Sequence, residues 1–149
     1  MTKNEMRKYV NQYCKILDMQ FAVYELYARK HGLTAKELFV LYIIWFEPDG
    51  CLQSEITEQL SLTKQTTSAI VKKFLTKDYI FLTESKTDRR NKIIQYTAKG
   101  KEYAKQIIQP VADAEIASMS EMSDKDITEL VRLTTIYSDY MKEKFEKAY

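Results

Sequence analysis

The chain has 149 residues, 45% of them apolar, and a formal charge of +2, which suits one compact domain with a sizeable core. Three Gly and two Pro leave few breaks and favour a small number of long helices; Gly32, Gly50 and Gly100 stand too far apart to form a phosphate-cradling glycine loop, which excludes nucleotide chemistry of that kind. The longest apolar run, Leu38 to Phe46, is half of what spans a bilayer, and the amino terminus starts polar without a signal-peptide core, so no membrane association and a cytoplasmic location are expected.

Cys14, Cys51 and the single His31 do not have the spacing of metal ligands, and neither paired carboxylates nor a nucleophile triad emerges. No metal, cofactor or enzymatic activity is therefore expected. His31 reads as a helix-end or surface residue and the cysteines as structural thiols of a reducing compartment, Cys14 either buried or at an interface. The small net charge hides an uneven distribution. Residues 1–62 carry net −1, residues 63–101 net +7 and residues 102–149 net −4. A basic middle between acidic flanks fits a polyanion site confined to one lobe, although lysines alone often do no more than solvate a helix face.

In chain order, Met6, Val10, Tyr13, Leu17, Phe21, Tyr24 and Ala28 alternate in steps of four and three, predicting an amphipathic helix to about Lys30 that Gly32 ends. Thr34 with Glu37 forms a capping-box pair before the apolar Leu38 to Phe46, which predicts a buried central helix. Glu47-Pro48-Asp49-Gly50 reads as a turn, followed by a short extended piece around Cys51. Ile56 and Leu60 mark a short helix, Ser61-Leu62 a break, and Thr63 the cap of a helix from Lys64 to about Lys77. Within that helix Thr67, Ile70, Val71 and Phe74 form the inward stripe, leaving Gln65, Ser68, Ala69 and Lys72 outside. Two short helices with a polar, basic outer face resemble a helix-turn-helix.

Residues 79–85 and Ile93 to Thr97 are β-prone and flank Lys86-Thr87-Asp88-Arg89-Arg90-Asn91-Lys92, a hairpin with a basic tip in the position of a wing. Arginine suits a narrow, electronegative minor groove. Asp88 has two readings, as the orienter of an arginine or as a turn-favouring residue. After Gly100, Tyr103, Ile107, Val111 and Ala114 step along one helix. Ser123, with Asp126 three positions on, caps another that carries Ile127, Leu130, Val131, Thr134, Tyr137, Met141 and Phe145. These stripes and that of the first helix exceed what a small core covers, so burial against a second copy is expected, with an intramolecular three-helix cluster as the alternative. Phe21, Tyr24, Trp45 and Tyr137 line an effector pocket or are ordinary core aromatics.

Asp88-Arg89-Arg90 followed by Tyr96-Thr97-Ala98-Lys99-Gly100 resembles the D-x-R and L-T-x-x-G signature of MarR-type transcriptional regulators. Leu33-Thr34, Leu41, Glu55-Ile56, Leu60, Leu62 and Ile70 to Phe74 fall where that family places its winged-helix core, so the resemblance spans the chain. It implies a mainly α fold with a small β-hairpin wing: one domain, 1–149, with a winged helix-turn-helix DNA-binding lobe at 33–100 flanked by dimerisation helices at 1–32 and 101–149. It further implies a homodimeric, sequence-specific regulator on double-stranded DNA with an inverted-repeat operator, a repressor released by a small aromatic or lipophilic effector. By residue match Arg90 would enter the minor groove, Asp88 would position it, and Lys64, Gln65, Thr66, Ser68 and Lys72 would read the major groove, while phosphate contacts weakened by Leu82 and Glu84 in the wing strand would shift onto Lys86, Arg89 and Lys92. Where the family usually has Gly, Leu and Ala this chain has Asp78, Tyr96 and Thr57. Gln20 stands where peroxide-sensing members carry a reactive cysteine. Leu82 and Glu84 occupy wing positions that are often basic, which keeps open a rival reading as a winged-helix protein-interaction module without specific DNA binding.

Overall fold

A computed structural model describes residues 1–148. Helix α1 (Lys3–Lys30) is followed by α2 (Ala35–Trp45), strand β1 (Cys51–Leu52), α3 (Gln53–Gln59), α4 (Lys64–Thr76), β2 (Ile80–Glu84), β3 (Lys92–Tyr96), α5 (Ala98–Ser120) and α6 (Asp124–Glu146). The described chain divides into two compact units, 1–109 and the residues from 110 onward.

In the first unit the helix ends follow local chemistry. Thr2 and Glu5 cap α1 reciprocally, and Thr34 and Glu37 do the same for α2, each pair satisfying two backbone N–H groups that the helix cannot. His31 closes α1 with its ring 4.6 Å from that of Tyr27, and Gly32 at φ +69° turns the chain so that Leu33 N–H reaches the Ala28 carbonyl at 2.9 Å. Helix α2 is the centre of the core: Leu38, Val40, Leu41 and Ile44 are buried, joined by Ile56, Phe74, Ile80, Ile94 and Ile108 from the surrounding elements. Each such side chain contributes about 2 kcal/mol through removal of apolar surface from water.

The sheet has three strands where the sequence predicts a two-stranded hairpin. Its order is β1-β3-β2, antiparallel throughout, with Cys51 opposite Ile94 and Leu82 opposite Ile94 on the other side. Gly50 makes the third strand possible. At φ +92°, it sits where a Cβ would strike Ile93, Gln95 and the Ile94 carbonyl, so the turn that starts with Pro48 can bring Cys51 onto β3.

Three departures from the usual family residues are accommodated. Asp78 takes the left-handed conformation at φ +57° after α4, as its short polar side chain allows. The Tyr96 hydroxyl donates to the Leu41 carbonyl at 2.6 Å, so the larger ring arrives with its polar end satisfied. Thr57 Oγ1 lies 2.9 Å from Thr67 Oγ1 and 2.8 Å from the Gln53 carbonyl oxygen, a polar seam between α3 and α4.

Of the seven residues of the α1 stripe only Ala28 is buried, while Met6, Leu17 and Phe21 are exposed, so most of the stripe lies outside the core of the chain. Ser123 caps α6 by accepting from the Asp126 N–H at 3.2 Å. No residue of α6 is buried; Leu130, Val131, Leu133, Ile136, Met141 and Phe145 are all exposed.

Candidate nucleic-acid interface

Helix α4 divides its residues cleanly. Thr67, Ile70, Val71 and Phe74 are buried, Lys64, Gln65, Ser68 and Lys72 are exposed, and Thr66 is half-buried. Thr63 caps the helix by accepting from Thr66 N–H at 3.1 Å, and the two threonine hydroxyls lie 2.9 Å apart. The first turn contains no acidic side chain, so the positive end of the helix stays uncompensated beside Lys64.

Two side chains outside the expected set support this face. Gln53 Nε2, at the start of α3, donates to Ser68 Oγ at 3.0 Å and so fixes one of the outward hydroxyls. Nothing in the local pattern marks Gln53, because the contact crosses the helix-turn-helix. Lys73 Nζ, on the flank of α4, reaches Glu37 Oε1 at 2.7 Å, while the other oxygen of Glu37 accepts the Thr34 N–H. The ion pair is partly buried and ties the recognition-type helix to the start of α2.

The wing tip is folded around Asp88. Its carboxylate accepts from Arg90 N–H at 2.9 Å and from Asn91 Nδ2 at 3.4 Å, and its carbonyl accepts from Asn91 N–H at 3.0 Å. Of the two readings of Asp88, the observed bonds are those of a turn residue: it holds the main chain of Arg90, with the guanidinium outside the bonding pattern. Lys86, Arg89 and Arg90 are exposed, and among the described residues none of the three has an ion-pair partner. Lys92 differs. Its Nζ lies 3.2 Å from Glu84 Oε1 across the hairpin, so the acidic strand residue neutralises the lysine directly opposite it. Both are well exposed, so the pair is weak and open to competition from a stronger anion.

The base of the wing explains Thr97 and Gly100. Thr97 Oγ1 donates to the Asp78 carbonyl at 2.7 Å and accepts from Gly100 N–H at 2.9 Å, while Thr97 N–H bonds to the Tyr79 carbonyl at 3.1 Å. A Cβ on Gly100 would collide with the Tyr79 backbone. The Tyr79 and Tyr103 rings stack at 4.1 Å over the same junction. The threonine and the glycine thus dock the first turn of α5 against the chain that leaves α4.

Cys51 is buried, and burial, followed by the charges of Glu55 and Glu47, pushes its thiol up to about 11; Cys14 is exposed. Among the described residues no group of three or more His, Cys, Asp or Glu side chains could hold a metal, and no helix is long and apolar enough to cross a membrane. Phe21 and Tyr24 pack on Phe39, with ring centres at 6.3 and 5.2 Å, whereas Trp45 meets the edge of Tyr96 at 6.5 Å.

Residues 31–91 match the model of the MarR family. Among solved structures, the chain is similar to NMB1585, a MarR family regulator from Neisseria meningitidis, at 23% identity and TM-score 0.73, with all of both chains covered. It is also similar to S. aureus MepR in its DNA-binding conformation, at 19% identity and TM-score 0.75, covering 89% of this chain and 98% of that one. The S. aureus MepR–DNA complex gives 19% identity and TM-score 0.68, with 89% and 97% covered. No match is found among curated proteins. Residues 31–91, which carry the helix-turn-helix, the first wing strand β2 and the wing tip, thus match the MarR family, and the chain has the winged-helix fold of these solved structures.

Proposed function

We propose that the chain is a sequence-specific regulator of transcription that binds double-stranded DNA as a homodimer, and that it acts as a repressor released by a small-molecule effector. The observation that carries this reading is the set of exposed cations on the outer face of α4 and at the wing tip. Lys64, Lys72, Lys86, Arg89 and Arg90 have no ion-pair partner among the described residues, so each is free to neutralise a phosphate and release its counterion. Gln65 and Ser68 add the hydrogen-bonding groups that base edges require. The structure of S. aureus MepR with DNA supports the same reading by likeness of fold.

The homodimer is supported by the apolar faces left uncovered. Leu133, Ile136 and Phe145 on α6, and Leu17 and Phe21 on α1, are each at least 40% exposed, which a soluble monomer does not sustain over two long helices. A two-fold pair of lobes would place two recognition helices about 34 Å apart, one turn of the duplex, and an effector would act by favouring another spacing.

The Glu84–Lys92 pair favours the second reading, a protein-interaction module, because it removes one wing charge. Fluorescence anisotropy with DNA from upstream of the protein's own gene, run as a salt series beside an unrelated duplex, separates the two. The regulator prefers its own DNA, loses affinity steeply with salt, and is weakened by about 1–3 kcal/mol in Arg90→Ala. Equal weak binding to both duplexes, or an Arg90→Ala variant with intact affinity, would overturn the DNA reading.

A further inference from the structure

At the root of the wing, where the end of α2, the turn after it, β2, β3 and the first turn of α5 meet, the first unit contains a cleft of about 190 Å³. One wall is aromatic: Trp45 at the end of α2, Phe81 on β2, which is 41% exposed, and the ring of Tyr96 on β3. The rim is polar, with Glu47 from the turn before β1, Gln95 on β3 and Lys101 in the first turn of α5. The Tyr96 hydroxyl is already engaged with the Leu41 carbonyl and offers the cleft only its ring.

The other polar groups are not engaged. Among the described residues the Trp45 indole N–H, the Glu47 carboxylate, the Gln95 amide and the Lys101 ammonium have no hydrogen-bond or ion-pair partner, although all four line the same small space. In particular, Glu47 and Lys101 face one cleft without forming a salt bridge with each other. An apolar wall with a few convergent polar groups is the usual construction of a small-molecule site. Its charges select the ligand. A simple anion entering here would meet the like charge of Glu47, and a simple cation that of Lys101. Only a ligand with both signs satisfies both side chains.

We propose that this wing-base cleft binds a small zwitterion with an aromatic side chain, an aromatic α-amino acid or a close analogue. The carboxylate is held by Lys101 and the ammonium by Glu47, with the ring lying against Trp45 and Phe81. Because β2, β3, α2 and α5 all contribute to the cleft, an occupant ties the root of the wing to the rest of the lobe.

Trp45 is the only tryptophan of the chain and lines this cleft, so the indole emission comes from a cleft residue. The experiment titrates the full-length protein, without DNA, with L-phenylalanine, and in parallel with phenylpropionate, which lacks the ammonium, and phenethylamine, which lacks the carboxylate. The expected result is a saturable change in Trp45 emission with L-phenylalanine and binding about tenfold weaker for each truncated compound. Lys101→Met should weaken L-phenylalanine and phenylpropionate and strengthen phenethylamine, which no longer meets a like charge, and Glu47→Gln should show the converse. Both side chains are exposed, so both variants fold. Absence of a saturable change with L-phenylalanine, or equal affinity for all three compounds, overturns the proposal. The titration contains no DNA, so its failure leaves the DNA reading standing, and failure of the DNA reading leaves the cleft standing.

Discussion

Single residues at the wing carry distinguishable roles. Asp88 uses its carboxylate as an acceptor for the Arg90 and Asn91 N–H groups. An asparagine offers an acceptor oxygen in the same place, so Asp88→Asn is expected to keep DNA affinity within about twofold, whereas Asp88→Ala loosens the tip and loses more. Equal losses in the two variants, read by anisotropy, would show that the charge of Asp88 matters rather than its geometry. Gly100 acts through the absence of a side chain. Because a Cβ there would overlap the Tyr79 backbone, Gly100→Ala must displace α5 from the junction. A destabilisation of about 3 kcal/mol is expected, with a fall in Tm of roughly 10 °C in a thermal melt. An unchanged Tm would mean that the junction relaxes without cost.

At the scale of elements, the orientation of α4 depends on ties that are not part of its own pattern. The Thr57–Thr67 seam joins it to α3, and the Lys73–Glu37 ion pair joins it to α2. Lys73 is committed to this partner, unlike Lys72 beside it. Lys73→Met should therefore lower both stability and DNA affinity by about 1–2 kcal/mol, with the salt dependence of binding unchanged because no phosphate contact is lost. A salt slope reduced by about one ion would instead place Lys73 on a phosphate. Lys73→Arg, which keeps the charge, should restore most of the affinity.

For the molecule as a whole, the uncovered apolar residues of α1 and α6 decide the assembly. Leu133 is 50% exposed on α6 and belongs to no core of its own chain. If a second copy covers it, Leu133→Lys buries a charge at an interface, and sedimentation velocity should read a monomer where the parent chain reads a dimer. Circular dichroism should remain helical, and affinity for a two-half-site duplex should fall by at least about tenfold as the second lobe no longer binds from the same particle. A Leu133→Lys variant that sediments like the parent would remove α6 from the interface.

The order of elements was legible from local chemistry. Thr34 with Glu37, Thr63, Ser123 and Gly32 each start or stop a helix through groups within four residues, and the stripe from Thr67 to Phe74 separates the inner from the outer face of α4. The basic outer residues and the wing tip could be named for the same reason, since side-chain period and turn residues act over short stretches of chain. The pairing of Cys51 with Ile94, the Gln53–Ser68 and Lys73–Glu37 bonds, the neutralisation of Lys92 by Glu84 and the cleft between Trp45 and Lys101 join residues from 8 to 56 positions apart. No local period encodes such contacts. Composition and spacing determined which segments are helix, strand or basic tip, whereas tertiary packing decided which charges stay free and which polar groups meet, because those outcomes depend on the partner that the fold brings to each side chain.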